Sequence, residues 1–208
     1  YKEMPMDEEV EVKSVSLVAE GPVRISLQRL LKFNDSDTSI IQRMHVYDTI
    51  PGVHFELIID WDQKDAILKN YFTFGTKNPK IMAEGPYTSE VYTADPSERN
   101  ALDAQRWEST CHTWVAFPDE IESWGVAYMN DSKYGFDVNK SKLGITVLRG
   151  PKCPDPTPNS YIAQERKSRE SRNIPTHADQ GHNYMKYAIV PFEGKIEYSP
   201  IVKRAHYL

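Results

Sequence analysis

A period of two governs this chain. In His54–Trp61 the odd positions Phe55, Leu57, Ile59 and Trp61 share one face, while Glu56 and Asp60 share the other. That is the signature of a strand with one face buried. Leu68, Phe72 and Phe74 follow the same rule, as do Val23, Ile25 and Leu27, then Met44 and Val46, then Leu143, Ile145 and Val147. Val10, Val12, Val15 and Leu17 nearly alternate, and the one-residue slip after Val12 predicts a bulge. Met185, Tyr187 and Ile189 oppose Tyr184, Ala188 and Val190, which predicts a strand buried on both sides. Turn chemistry separates these runs, at Glu20-Gly21-Pro22, Asn34-Asp35-Ser36-Asp37, Ile50-Pro51-Gly52, Glu84-Gly85-Pro86 and Asp95-Pro96. About ten strands at such spacing predict an all-β fold, an antiparallel β-sandwich or a supersandwich of two large sheets. No internal repeat interrupts it.

Length and charge narrow the function classes. A chain of 208 residues forms one large domain or two small ones and can bury a full apolar core. Lys plus Arg number 25 against 30 Asp plus Glu, a net charge of −5, which argues against a nucleic-acid partner. No apolar run reaches the roughly 20 residues of a membrane helix, so no membrane partner is expected. Two cysteines, Cys111 and Cys153, exclude a disulfide-stapled miniature fold. The chain opens on Tyr1 with no export signal, and reads as an excised piece of a longer polypeptide. Pro151–Pro158 holds four prolines and cannot lie inside a sheet. Gln164–Arg172 is almost wholly charged or polar, so residues 157–179 are expected to form a charged loop insertion between strands.

The densest chemistry lies in Asn130-Asp131-Ser132-Lys133-Tyr134-Gly135, between two apolar runs on a connection expected at a sheet edge. Amide, carboxylate, hydroxyl, ammonium and phenol together suit a hydroxyl-rich ligand, with the aromatic face against a sugar's C–H surface. The plainer reading is an Asx-type turn. His177-Ala178-Asp179 with His182 imitates a metal site but lacks further ligands at suitable spacing, and is expected to order a turn. Cys111-His112 could suggest a thiolate pair, yet neighbours in a strand face opposite ways, so an inert thiol is expected. Arg106-Trp107 could line a sugar cleft from a strand-like segment, or could be a core Trp with Arg reaching outward. Paired acids such as Asp60 with Asp62 and Asp119 with Glu120 are uninformative without geometry. Three Asn-x-Ser sequons, at Asn34, Asn130 and Asn139, matter only if the chain is secreted.

Gly125-Val126-Ala127-Tyr128-Met129-Asn130-Asp131-Ser132-Lys133-Tyr134-Gly135-Phe136-Asp137 resembles the hallmark of glycoside hydrolase family 38, the class II α-mannosidases, and is most similar to their cytosolic branch. Further blocks fall in the family's order. They are Glu20-Gly21-Pro22-Val23-Arg24, Asp60-Trp61 leading to Leu68-Lys69, and Gln105-Arg106-Trp107. After the hallmark come Leu148-Arg149-Gly150-Pro151-Lys152 with Pro154-Asp155-Pro156, then Gly181-His182 entering Tyr187-Ala188-Ile189-Val190-Pro191.

The resemblance implies one galactose-mutarotase-like β-sandwich domain over residues 1–208, the C-terminal part of a longer, retaining α-mannosidase. In the family an upstream α/β domain carries a divalent metal, usually zinc, and the aspartate nucleophile. A three-helix segment follows, then the β-domain. Retention needs two carboxyls about 5 Å apart, and neither is expected here. By that resemblance this chain binds no metal and holds no catalytic residue, and its partners are the upstream catalytic domain and a mannose-containing oligosaccharide. A homo-oligomer is left open, and a cytoplasmic location is implied. The implied pocket-wall residues are Asn130, Asp131, Lys133 and Tyr134, with Arg106 and His182 as weaker candidates. Other branches carry Asp-Arg where this chain has Asp131-Ser132. Lys133 could replace that cation one position along, as a point charge instead of a fork. The rival readings are a stand-alone carbohydrate-binding module and a purely structural interaction domain.

Overall fold

A computed structural model describes residues 10–33, 36–77, 80–119, 123–152, 177–196 and 200–208. The expected insertion at 157–179 therefore lies outside the described residues up to 176, as do Asn34, Glu120 and Cys153. Among the described residues thirteen strands are formed, and they pair antiparallel. They are β1 (Val10–Glu20), β2 (Arg24–Phe33), β3 (Ser39–Tyr47), β4 (Val53–Trp61), β5 (Ile67–Thr73), β6 (Lys80–Gly85), β7 (Thr88–Thr93), β8 (Ser109–Thr110), β9 (Trp114–Asp119), β10 (Trp124–Asn130), β11 (Gly135–Asn139), β12 (Lys142–Arg149) and β13 (Gly181–Glu193). A short α-helix, Ile201–Ala205, closes the chain. Nine strands make one sheet in the order β1-β2-β3-β4-β13-β10-β9-β6-β7, and four make a second, β5-β12-β11-β8.

The alternating residues do what their period requires. Leu57, Ile59 and Trp61 from β4, Phe117 from β9, Tyr128 from β10 and Tyr187 from β13 meet Phe136, Val138, Leu143 and Ile145 of the smaller sheet. Aromatic rings fill the centre. Phe55 stacks on Tyr187 at 4.6 Å, and Phe72 meets Tyr187 and Tyr128 at 5.6 Å each. Each such side chain, fully buried, contributes about 1.5–3 kcal/mol. The Tyr187 hydroxyl, which would otherwise be stranded, accepts from Gln42 Nε2 at 2.6 Å and Asn70 Nδ2 at 3.2 Å. Burial pushes its phenol up to about 12.

A second cluster lies on the opposite face of the larger sheet. Ala127, Met129, Ala188 and Val190 pack there against Ile196, Ile201 and Ala205 of the C-terminal segment. This explains the double-faced apolar run in β13: Met185 and Tyr187 face the sandwich interior while Ala188 and Val190 face that segment. Tyr184, at the start of the same strand, is half-exposed. The slip after Val12 is a register shift between Val12 and Ser14, and a second follows between Leu17 and Ala19.

Candidate functional site

The hallmark segment links the two sheets. It leaves β10, which lies between β13 and β9, and enters β11 in the smaller sheet. It is therefore an intersheet crossing, which corrects the expectation of a connection at a sheet edge. The exit is shaped by Asn130, which is 0% exposed. Its Oδ1 accepts from the N–H groups of Ser132 at 3.1 Å and Lys133 at 2.6 Å, the geometry of an Asx turn. Its own N–H donates to Thr113 O at 2.8 Å, and its Nδ2 to His112 O at 3.4 Å. The Asn130 amide is thus committed to holding the turn and is closed to glycosylation.

Asp131 is exposed but anchored. Its N–H donates to Lys186 O at 3.3 Å, and its Oδ2 accepts from Lys186 N at 3.1 Å. Ser132 Oγ donates to Oδ1 at 2.7 Å. With Asn130 and Asp131 fixed in this way, Lys133 is left half-buried and Tyr134 emerges 56% exposed.

Tyr134 stands at the rim of a cleft of about 450 Å³ lined also by Glu84, Pro86, Glu90, Thr110, Cys111, His112 and Thr113. Three chain segments are bolted together to form it. Cys111 N donates to Tyr134 O at 2.8 Å, and His112 N donates to Glu84 O at 2.9 Å. Thr113 donates to Glu84 Oε2 from both its N–H, at 2.8 Å, and its Oγ1, at 2.5 Å. The other Glu84 oxygen lies 3.2 Å from His206 Nε2, so the C-terminal segment reaches the same carboxylate. The His112 ring sits edge-on to Tyr134 at 6.5 Å.

Glu90 accepts from the Tyr92 hydroxyl at 2.8 Å. Burial first, and then that bond, push the Tyr92 phenol above its ordinary range. Cys111 is buried, and burial pushes its thiol up to about 12, so it is no nucleophile at neutral pH. Two carboxylates, an imidazole and an exposed aromatic face can accept from and donate to the hydroxyls of a sugar-like ligand. Sequence reasoning missed Glu84, Glu90 and His206. Glu84-Gly85-Pro86 had registered only as a turn, and nothing in the spacing placed His206 beside it.

The remaining candidates lie elsewhere. Arg106 follows a 3₁₀ turn (Asp103–Gln105) and pairs with Asp103 at 3.5 Å, and Trp107 is 76% exposed. The segment is thus neither strand-like nor a site for a core Trp, because the 3₁₀ turn ends there without burying the ring. His182 pairs with Asp60 at 3.0 Å, both exposed. It is five residues along β13 from Tyr187, the partner of Asn130, or about 17 Å at strand rise. Asp179 Oδ2 accepts from Arg149 N at 2.9 Å, and His177 bridges to Lys152, so these two order the approach to β13. Among the described residues no three His, Cys, Asp or Glu side chains are grouped as metal ligands.

Comparison with known proteins identifies the family. The Glycosyl hydrolases family 38 C-terminal domain matches residues 1–157. Alpha-mannosidase 2C1 of Mus musculus is 25% identical over 197 residues, 94% of this chain and 16% of that protein. The alpha-mannosidase of Saccharomyces cerevisiae is 32% identical over 148 residues, 71% of this chain and 11% of that protein. The chain thus spans less than a fifth of the length of the curated relatives it matches. The crystal structure of an alpha-mannosidase from Enterococcus faecalis V583 superimposes with a TM-score of 0.73 at 16% identity, over 96% of this chain and 24% of that one. At that identity the likeness speaks for the all-β fold alone. The family match, covering most of the sequence, goes further: this chain belongs to glycosyl hydrolase family 38, as its C-terminal β-domain.

Proposed function

We propose that the chain is the non-catalytic β-domain of a retaining, metal-dependent α-mannosidase acting on mannose-containing oligosaccharides in the cytoplasm. In this reading its intersheet crossing forms one wall of the active-site pocket. The nucleophile, the acid/base and a divalent metal, zinc by family resemblance, belong to an upstream catalytic domain of the same polypeptide. The metal would supply a hold on mannose hydroxyls and stabilise charge at the reacting carbon. This chain's part is to position. Asn130 and Asp131 fix the crossing, and Tyr134 offers a ring with Glu84, Glu90 and His112 behind it.

The observation that carries the reading is the half-exposed Tyr134 on a turn with no slack. The amide of Asn130 and the carboxylate of Asp131 are both spent on main-chain bonds, so the ring stands on a rigid mount. The test is Tyr134→Ala in the intact polypeptide, assayed with an aryl α-mannoside. KM should rise, or kcat/KM fall, by about two- to thirteen-fold, the scale of one lost aromatic contact of about 0.5–1.5 kcal/mol. The melting temperature should stay unchanged. Unchanged kinetics would remove Tyr134 from the wall, and an intact protein inactive on α-mannosides would defeat the mannosidase reading itself.

A further inference from the structure

The cleft wall depends on a very short strand. β8 is two residues long, lies at one end of the smaller sheet and makes two ladder pairs, Ser109 with Phe136 and Thr110 with Gly135. Residues 104–107, which lead into it, are all exposed, so no apolar side chain anchors the approach. Yet β8 delivers Thr110, Cys111, His112 and Thr113 to the cleft, and the Cys111 N–H holds the Tyr134 carbonyl. A strand this short needs a further hold.

Glu108 supplies one. Its half-buried carboxylate lies 2.9 Å from Lys69 Nζ of β5 and accepts from the Thr146 hydroxyl of β12. The other oxygen pairs with the Arg149 guanidinium at the end of β12. Lys69 is shared with Asp137 of β11, at 3.0 Å. The side chain beside β8 thus reaches past the adjoining strand, β11, to the two beyond it. An empty lane lets it do so. Phe136 and Ile145 face the core, so Gly135 and Thr146 next to them point to the opposite face. A Cβ on Gly135 would stand 3.4 Å from Thr146 Cβ and 3.8 Å from Glu108 Oε2, so a larger side chain would fill the path. The φ of Gly135 is not left-handed, and the space it leaves is what the fold uses. Two acids and two cations alternate here, mostly withdrawn from solvent, where their attraction is screened less than on an open surface.

We infer that Glu108 is a positioning residue. By reaching over Gly135 to Thr146, Lys69 and Arg149 it fixes β8, and through the Cys111–Tyr134 bond it sets the Tyr134 ring against the sugar. It does so from outside the cleft, whose lining it does not join. The inference rests on the reading of the intersheet crossing as a pocket wall. Losing the carboxylate should loosen β8 locally and leave the fold standing. Lys69 keeps Asp137 as its partner, and Arg149 is half-exposed and can turn to water.

The test uses the intact polypeptide with Glu108→Gln, which keeps the side chain's size and removes its charge. The Cys111 thiol, 1% exposed, reports on β8 without reference to activity. Maleimide labelling of the Cys111 peptide, followed by mass spectrometry where circular dichroism shows folded protein, should quicken at least about ten-fold as β8 opens locally. Kinetics on an aryl α-mannoside report on the ring. KM should rise at least about three-fold, and the substitution should add nothing in a Tyr134→Ala background, because residues acting through one contact are not additive. Unchanged labelling overturns the inference. So does a KM that Tyr134→Ala raises and Glu108→Gln does not, and so does an undiminished effect in the double variant. If Glu108→Gln does not fold, Thr146→Val, which removes only the hydroxyl donor, decides by the same measurements, with about three-fold expected in each. If Cys111 labels faster while neither Glu108→Gln nor Tyr134→Ala moves KM, the hold of Glu108 on β8 stands and the pocket-wall reading fails.

Discussion

Asp131 grips the main chain of Lys186 at both polar atoms, donating its N–H to the carbonyl at 3.3 Å and accepting the amide on Oδ2 at 3.1 Å. These residues are 55 apart in sequence, so the contact ties the hallmark turn to β13 and not to its own hairpin. Asp131→Ala removes the carboxylate half of this grip. It should cost about 0.5–1.5 kcal/mol, the net value of one such hydrogen bond. Asp131→Asn, which keeps an acceptor oxygen, should recover most of it. Urea melts of the three proteins check this; equal midpoints for Ala and wild type would show that the bond carries no stability.

Asn130→Ala should be the more damaging neighbour. It strips two N–H groups, of Ser132 and Lys133, of their acceptor at a position 0% exposed. Each lost bond is worth about 0.5–1.5 kcal/mol, so the pair should cost about 1–3 kcal/mol. A smaller loss than for Asp131→Ala would mean that water replaces the amide.

Gly125→Ala tests the start of the same strand. A Cβ there would collide with the Phe192 ring and come within 2.8 Å of the carbonyl oxygen of Phe117. The ring could swing away but the carbonyl belongs to the β9 ladder, so overpacking of about 1–3 kcal/mol is expected. The denaturation midpoint should fall with an unchanged slope.

Acid should weaken the flank of the larger sheet. His45 and His54 are cross-strand partners on β3 and β4, and burial lowers both below the ordinary histidine value. Glu56, 3.8 Å from His45 Nε2, pulls the other way, while Arg24 and Arg43 reinforce the shift at His45. Backbone bonding at Pro51 opposes burial at His54. A lowered folded value means that the unfolded chain binds more protons, so stability rises with pH through this window. The contribution is complete above the unfolded value of about 6.5 and is lost as pH falls below it. Thermal melts at pH 7.5 and 5.5 should differ, and His45→Gln with His54→Gln should narrow the gap.

Much of the fold was legible because period two reports burial directly. The rows Phe55–Trp61 and Leu143–Val147 turned inward as their alternation required, and the slip after Val12 became a register shift in β1. The division into sheets was not legible, since alternation states which side is buried but not which strands are neighbours. Hence β10 could be recognised as a strand without revealing that its exit crosses to the other sheet. The turn itself was legible in letters, because an Asn followed by polar residues and Gly caps its own chain wherever it lies. Glu84, Glu90 and His206 were illegible for the opposite reason. They come from a hairpin and from the residue that follows the C-terminal helix, far away in sequence, and ordinary acids and histidines carry no local mark.

The position of β13 has a consequence in time. It inserts between β4 and β10, pairing Gly181 with Trp61 on one side and Tyr187 with Asn130 on the other. Until it arrives, β1–β4 on one side and β6, β7, β9 and β10 on the other are two separate stacks that can form early from nearer residues. The Lys186 main chain that Asp131 grips does not yet exist. Joining the halves closes a long loop, the slow kind of contact. On a ribosome the Tyr134 turn would therefore stay untied until β13 had emerged, leaving the nascent chain with two half-sheets.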